Sequence, residues 1–199
     1  MIGIIDVGLG NVSSVEKALH KLNAECCLVS GPDNFLKLSK LIFPGVGSFP
    51  AAVDRLRKHN IIASITKHID AGLPFLGICL GMQLLSKTGI EGGATAGLGI
   101  LDANVVRMEP LNGKTLPHIG WNQINHNGSG LFHDISVNDD FYFVHSYYMK
   151  LNQPVKHYSF DYGGIYTGYI EMGNVFGVQF HPEKSQSVGL KFMRNFLDA

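Results

Sequence analysis

Residues 74–86 read PFLGICLGMQLLS, and this stretch decides how the chain folds. Pro74–Ile78 is short and apolar without alternation, the pattern of a strand buried on both faces. Leu80–Ser86 then continues in helix-forming residues. Between them, Gly77-Ile78-Cys79-Leu80-Gly81 matches the G-x-nucleophile-x-G turn, with cysteine in the position that serine often takes. The glycines permit a tight strand-to-helix turn that lifts Cys79 off the carboxyl edge of a sheet. A helix N-terminus just beyond it favours the thiolate and offers backbone N–H groups to an oxyanion. A small cysteine in a glycine-rich core has the same local spelling, so the rest of the chain must supply it with a partner.

Outward from this turn the chain alternates strand and helix. Ile2–Val7, Cys26–Val29 and Lys40–Phe43 read as strands. Val12, Val15, Ala18, Leu19 and Leu22 fall at helical spacing, and Ser13 with Glu16 has the spacing of a capping box. Ile61, Ile62, Ile65 and Ile69 mark a helix that Gly72 stops. Such alternation predicts a parallel sheet covered by helices on both faces. Beyond residue 98 the texture is β-rich, with strands over Ile100–Met108, Phe141–Tyr147, Val155–Phe160, Ile165–Glu171 and Val175–Phe180. An amphipathic helix follows near Ser187–Leu197. No repeat or linker interrupts the pattern, which predicts one three-layer α/β domain over residues 1–199 with a mostly parallel central sheet.

Composition narrows the function classes. The 199 residues are 45% hydrophobic and 16% charged, enough for a substantial core. Sixteen basic side chains balance sixteen acidic ones, which is no footprint of a nucleic-acid binder. The uncharged stretch Ala71–Ser86 is broken by Pro74 and three glycines, too short for the about 20 apolar residues of a bilayer span. Met1–Asp6 lacks the basic region of a signal peptide, so a cytoplasmic protein without membrane attachment is expected. Cys26, Cys27 and Cys79 suit neither a disulfide framework nor a zinc site. His20, His59 and His68 read as ordinary surface histidines in helices. Gly8-Leu9-Gly10-Asn11 is a partial dinucleotide fingerprint whose third glycine is replaced by Ser13. Neither a metal nor a cofactor is expected.

A cysteine nucleophile needs a base, and the base needs an orienting group. Phe180-His181-Pro182-Glu183 supplies both. His181 and Glu183 are two residues apart, so an extended chain stiffened by Pro182 aims their side chains the same way. His145 follows a strand as well but has no nearby acid in sequence. Pro44-Gly45-Val46-Gly47 lies at another strand end, where a glycine-rich turn presents backbone N–H groups to an oxyanion.

With these residues in place, the chain resembles the class I, or triad, glutamine amidotransferases. Gly77–Gly81 followed by Met82-Gln83, with His181-Pro182-Glu183 about a hundred residues later, carries the resemblance. Asp6–Asn11, Pro44–Gly47, Pro117–Asn122, Phe141–Tyr148 and Gln179–Ser185 are similar, more narrowly, to the glutaminase subunits of imidazole glycerol phosphate synthases. Val7 departs from the aromatic residue usual there, and Glu91–Gly97 is richer in glycine and alanine.

The resemblance implies hydrolysis of L-glutamine through a Cys79 thioester, with His181 and Glu183 completing the triad. It implies glutamine held by Gly47, Gln83, His145, Ser146 and Tyr147, and an oxyanion hole from Leu80 and the Val46–Gly47 peptide. It further implies that ammonia passes to a TIM-barrel cyclase in a heterodimer docked through Asn11, His118, Trp121, Tyr142 and Lys184. Supply of ammonia to a sugar amidotransferase in surface-glycan synthesis is the alternative within the family. A cysteine hydrolase on the same fold is the alternative outside it, and a catalytically silent binding module would have lost the triad.

Overall fold

A computed structural model describes residues 1–35 and 37–199. In its first half β1 (Ile2–Ile5), α1 (Val12–Lys21), β2 (Cys26–Val29), β3 (Lys40–Gly45), α2 (Phe49–Lys58), α3 (Ile62–Asp70), β4 (Phe75–Cys79) and the short α4 (Leu80–Gln83) alternate as expected. Then come β5 (Ser86–Gly89), β6 (Thr95–Ala96), β7 (Leu101–Arg107), β8 (His118–Gln123), β9 (Asp140–His145), β10 (Tyr147–Leu151), β11 (Lys156–Asp161), β12 (Ile165–Met172), β13 (Val175–Val178) and α5 (Gln186–Asp198).

The central sheet runs β11–β12–β13–β4–β3–β1–β2. From β13 to β2 every pairing is parallel, and β12 and β11 extend the edge antiparallel. Successive residues divide between two cores, as the period of a strand requires. Ile4, Ile42, Leu76 and Ile78 pack with Val15 and Leu19 of α1 and Phe192 and Phe196 of α5. Ile5, Leu41, Phe43 and Phe75 pack with Phe49, Val53 and Leu56 of α2 and Ile65 and Ile69 of α3. Helices therefore cover both faces. A four-stranded sheet, β10–β7–β5–β6, adds Leu101, Val105 and Met149 to the second core, and a β8–β9 ribbon adds Phe141 and Phe143 to the first. No helix among the described residues is long and apolar enough to cross a membrane.

Three local expectations need correction. α1 has no capping box: Asn11 is its N-cap and makes no side-chain cap bond, and Ser13 already lies inside the helix. The helix expected over Leu80–Ser86 ends at Gln83, and the carbonyls that follow it pair with distant amides instead of continuing it. Leu98 N–H donates to the Leu84 carbonyl at 2.8 Å, Leu101 to Leu85 at 2.9 Å and Gly99 to Ser86 at 3.0 Å. The single strand expected over Phe141–Tyr147 breaks at Ser146, since β9 pairs with β8 whereas β10 pairs with β7.

α4 sits unusually close to the sheet, and glycine makes that possible. A Cβ on Gly81 would lie 1.9 Å from the Phe43 carbonyl oxygen, and one on Gly77 2.6 Å from that of Gly81. Neither neighbour is a side-chain end that can swing away. Gly81→Ala is therefore expected to cost more than the about 3 kcal/mol that bounds most point mutations, measured as the shift in denaturant unfolding. A loss below about 0.5 kcal/mol contradicts this packing.

Candidate active site

Cys79 ends β4 and caps α4 with φ 53° and ψ −106°. That left-handed backbone costs on the order of 1–3 kcal/mol for a residue with a side chain and persists only where its surroundings enforce it. The strand register brings a second turn alongside. Gly45 of β3 stands opposite Cys79, and a Cβ there would come 2.9 Å from Leu80 Cβ. Val46 and Gly47 then line the same cleft of about 420 Å³ as Cys79, Leu80, Gln83, His145, Ser146, Tyr147 and Lys184. Gly47 has φ +113°, and no atom lies within 4 Å of where its Cβ would be.

Beyond β13, parallel to β4, the chain delivers His181 to the sulfur. The imidazole is 1% exposed, and its Nδ1 lies 2.8 Å from Glu183 Oε1. A carboxylate there can only accept, so Nδ1 carries its proton, while Nε2 is buried without a hydrogen-bond partner among the described residues. Burial pushes the pKa of this imidazole down. The sulfur of Cys79 and the Glu183 carboxylate outweigh burial and raise it to about 10. At neutral pH this imidazole is therefore held as the imidazolium beside the Cys79 sulfur.

The strand end after β9 forms the opposite wall. Gln83 Nε2 donates to the Tyr147 carbonyl at 2.9 Å and to Gln179 Oε1 at 3.0 Å. Gln179 Nε2 lies 3.5 Å from Cys79 Sγ. His145 Nδ1 donates to the same Tyr147 carbonyl at 2.9 Å, and its Nε2 is 3.3 Å from His118 Nδ1. Burial pushes both imidazoles down, His118 to about 4 and His145 to about 3. Both are neutral at pH 7, and His118 Nδ1 is the donor of the pair. His145 lines the cleft with both ring nitrogens already engaged, so its imidazole orients the wall and has no free group for a substrate.

The five residues expected at a partner surface separate. Asn11 is exposed, and Trp121 is 48% exposed beside Tyr142, ring centroids 5.8 Å apart. Lys184 Nζ lies 5.8 Å over the Tyr142 ring. His118 does not belong with them. It is 2% exposed and stacks on Tyr162, Phe143 and Phe160, because the inward face of β8 is packed beneath the ribbon. Backbone bonds tie the ribbon to the base: His181 N–H donates to the Tyr142 carbonyl at 2.8 Å, and Tyr142 N–H to Ser185 Oγ at 3.0 Å.

Residues 3–199 match the family described as glutamine amidotransferase class-I. The chain belongs to this family. Among similar relatives is the imidazole glycerol phosphate synthase subunit HisH of Caldanaerobacter subterraneus subsp. tengcongensis, 45% identical over 98% of this chain and 97% of that one. The protein of the same name from Rhodopirellula baltica is 40% identical over 100% and 98%. Among solved structures, PurLQS from Thermotoga maritima superposes with a TM-score of 0.76 at 21% identity, covering 99% of this chain and 97% of that one, and shares the fold.

This class I amidotransferase is an enzyme, and its cleft contains two groups that the sequence reading passed over. Gln179 is fully buried at the bend that follows β13, two residues before His181. Glu91 lines the cleft and accepts the Phe49 N–H at 2.8 Å, placing its charge at the start of α2. Only the folding of the β5–β6 turn brings it there, and no local pattern announces it. Outside the cleft, Glu16, His20 and Cys26 bring one donor atom each to within 4.8 Å of one another, with His20 exposed as expected, whereas His68, also expected at the surface, is buried with Nε2 3.2 Å from the Pro74 carbonyl.

Glu183→Gln removes one of the two neighbours that raise the pKa of His181. The imidazolium is then lost at lower pH, so the alkaline limb of the kcat/KM profile for glutamine is expected to move down in pH. An unmoved limb contradicts the role of the carboxylate in holding the charge.

Proposed function

We infer that the chain is a single glutaminase domain that hydrolyses L-glutamine and supplies the ammonia for imidazole glycerol phosphate synthesis in histidine biosynthesis. The observation that carries the chemistry is the buried Cys79–His181–Glu183 line at the end of the cleft. Cys79 Sγ attacks the side-chain amide carbon of glutamine, and the resulting oxyanion takes N–H groups from Leu80 and the Val46–Gly47 peptide. One such donor is worth about 3–4 kcal/mol in the transition state. The imidazolium of His181 protonates the departing nitrogen, releasing ammonia and leaving a γ-glutamyl thioester. Neutral His181 then draws a proton from water, whose oxygen displaces the sulfur and forms glutamate. Glu183 holds the ring in the required tautomer. Gln83, the Gly47 backbone and the Ser146–Tyr147 strand end hold the amino-acid part of the substrate.

The acceptor pathway rests on the relatives at 40–45% identity, named as subunits of imidazole glycerol phosphate synthase. A TIM-barrel cyclase is the partner, meeting the chain at Asn11, Trp121, Tyr142 and Lys184 in the cytoplasm. Exposed Ile119 and Trp121 on β8 beside Lys184 support this surface, since aromatic and apolar anchors ringed by polar groups suit an interface. Docking there bears on the oxyanion turn. Gly47, with open space at its Cα, accepts either orientation of the Val46–Gly47 peptide, so a bound and liganded partner selects the competent one.

Two outcomes test this reading. Cys79→Ala is expected to abolish glutamine-dependent turnover of the complex while turnover with added ammonium salt continues; retained glutamine use overturns the assignment. Trp121→Ala is expected to weaken binding of the cyclase by about 2 kcal/mol, roughly 30-fold, in titration calorimetry. Unchanged binding removes Trp121 from the interface, and failure of the unaltered chain to bind any cyclase favours the sugar-amidotransferase alternative.

A further inference from the structure

We propose that Gln179 is a positioning residue of the glutaminase site, a single buried amide that fixes the Cys79 sulfur and the substrate-facing end of Gln83 together. The proposal rests on the assignment of Cys79 as nucleophile. Gln179 directly follows β13, whose four residues are all apolar and buried, and it is the first polar side chain on that path. A fully buried amide is costly unless its groups are paired, so its partners define its use.

The direction of every bond in the chain is forced. The Tyr147 carbonyl can only accept, and His145 Nδ1 anchors it from one side at 2.9 Å. The group of Gln83 that faces this carbonyl must therefore be its NH2, and the second hydrogen of that nitrogen goes to Gln179 Oε1 at 3.0 Å. The NH2 of Gln179 is then the end that meets Cys79 Sγ at 3.5 Å. Turning either amide over would oppose two carbonyl oxygens, or two NH2 groups, at hydrogen-bond distance. The sulfur is accordingly an acceptor, a role a thiolate fills better than a thiol.

Two consequences follow for the reaction. The Gln179 N–H restrains the direction of the sulfur. Both Gln83 hydrogens are spent within the wall, which leaves the Gln83 carbonyl oxygen as the acceptor for the ammonium group of a bound amino acid. A residue that merely filled space would need no amide at this point.

The test uses the complex with the cyclase and three variants. Gln179→Met keeps the bulk and removes both bonds. It is expected to lower kcat/KM for glutamine about ten- to hundred-fold, the span associated with a hydrogen bond to a charged group. KM should rise with the release of Gln83, and alkylation of Cys79 by iodoacetamide should slow about tenfold, read on its own peptide because Cys26 and Cys27 are also free thiols. Gln179→Glu keeps the acceptor for Gln83 and presents an oxygen to the sulfur, so kcat should fall with KM near that of the unaltered chain. This split in KM separates positioning from a structural role, which would lower the melting midpoint of both variants without it. Unaltered kcat and KM in Gln179→Met, or in Gln179→Glu should the first variant fail to fold, overturn the proposal. Cys79→Ala is the reference: if it is inactive, such a result touches Gln179 alone, and if it is active the underlying nucleophile assignment fails.

Discussion

The Phe43 carbonyl oxygen occupies the place where a side chain on residue 81 would begin, and the site is built around that contact. A hydrogen atom at Gly81 lets the first turn of α4 lie directly against β3. With α4 that close, the chain leaving β4 has no room to approach the helix gradually. Cys79 must make the whole change of direction in one residue, which is why its backbone is left-handed. The same closeness sets Leu80 over Gly45 and so brings the Pro44–Gly47 turn to the nucleophile. A strained cysteine, an adjacent glycine-rich turn and the cleft between them are one packing decision.

The electrostatics sort three buried imidazoles that begin alike. Burial lowers the pKa of His118, His145 and His181. His118 and His145 have only neutral or positive company and remain neutral, bonded in sequence to a backbone carbonyl. His181 sits between the sulfur and a carboxylate and stays charged. Of the three rings only that of His181 is thus charged, and the two beside it are neutral.

How much of this was legible in the sequence depended on the range of the governing interaction. The nucleophile turn is written in five consecutive residues, because both glycines are demanded by contacts within or next to that turn. The base and its carboxylate are two residues apart and equally local, although a 3-10 turn over Pro182–Lys184, and not the extended chain expected, brings them together. The parallel sheet followed from apolar runs separated by helical spacing. What failed was set by partners far along the chain. Leu80–Ser86 has helical composition throughout, yet the helix ends at Gln83 and residues 84–86 pair with amides of residues 98–101. His118 spells like a surface residue among Pro, Gly and Trp, and only the pairing of β8 with β9 decides that it faces inward while Trp121 faces out. Gln179 was hidden by its motif: the conspicuous histidine and glutamate drew attention from the amide beside them.

The backbone bonds between Tyr142 and the turn after β13 have a consequence for how the molecule opens. Tyr142 accepts the His181 amide proton and gives its own to Ser185, and Ser185 Oγ in turn donates to the His181 carbonyl at 2.6 Å. The amide of His181 can exchange with solvent only when the β8–β9 ribbon lifts, so ribbon and base form one cooperative unit. A fluctuation that exposed the underside of the ribbon would also take the imidazole from the sulfur. Breathing of the surface and idling of the thiol are then the same event, and an opened molecule is a silent one instead of a leaky one.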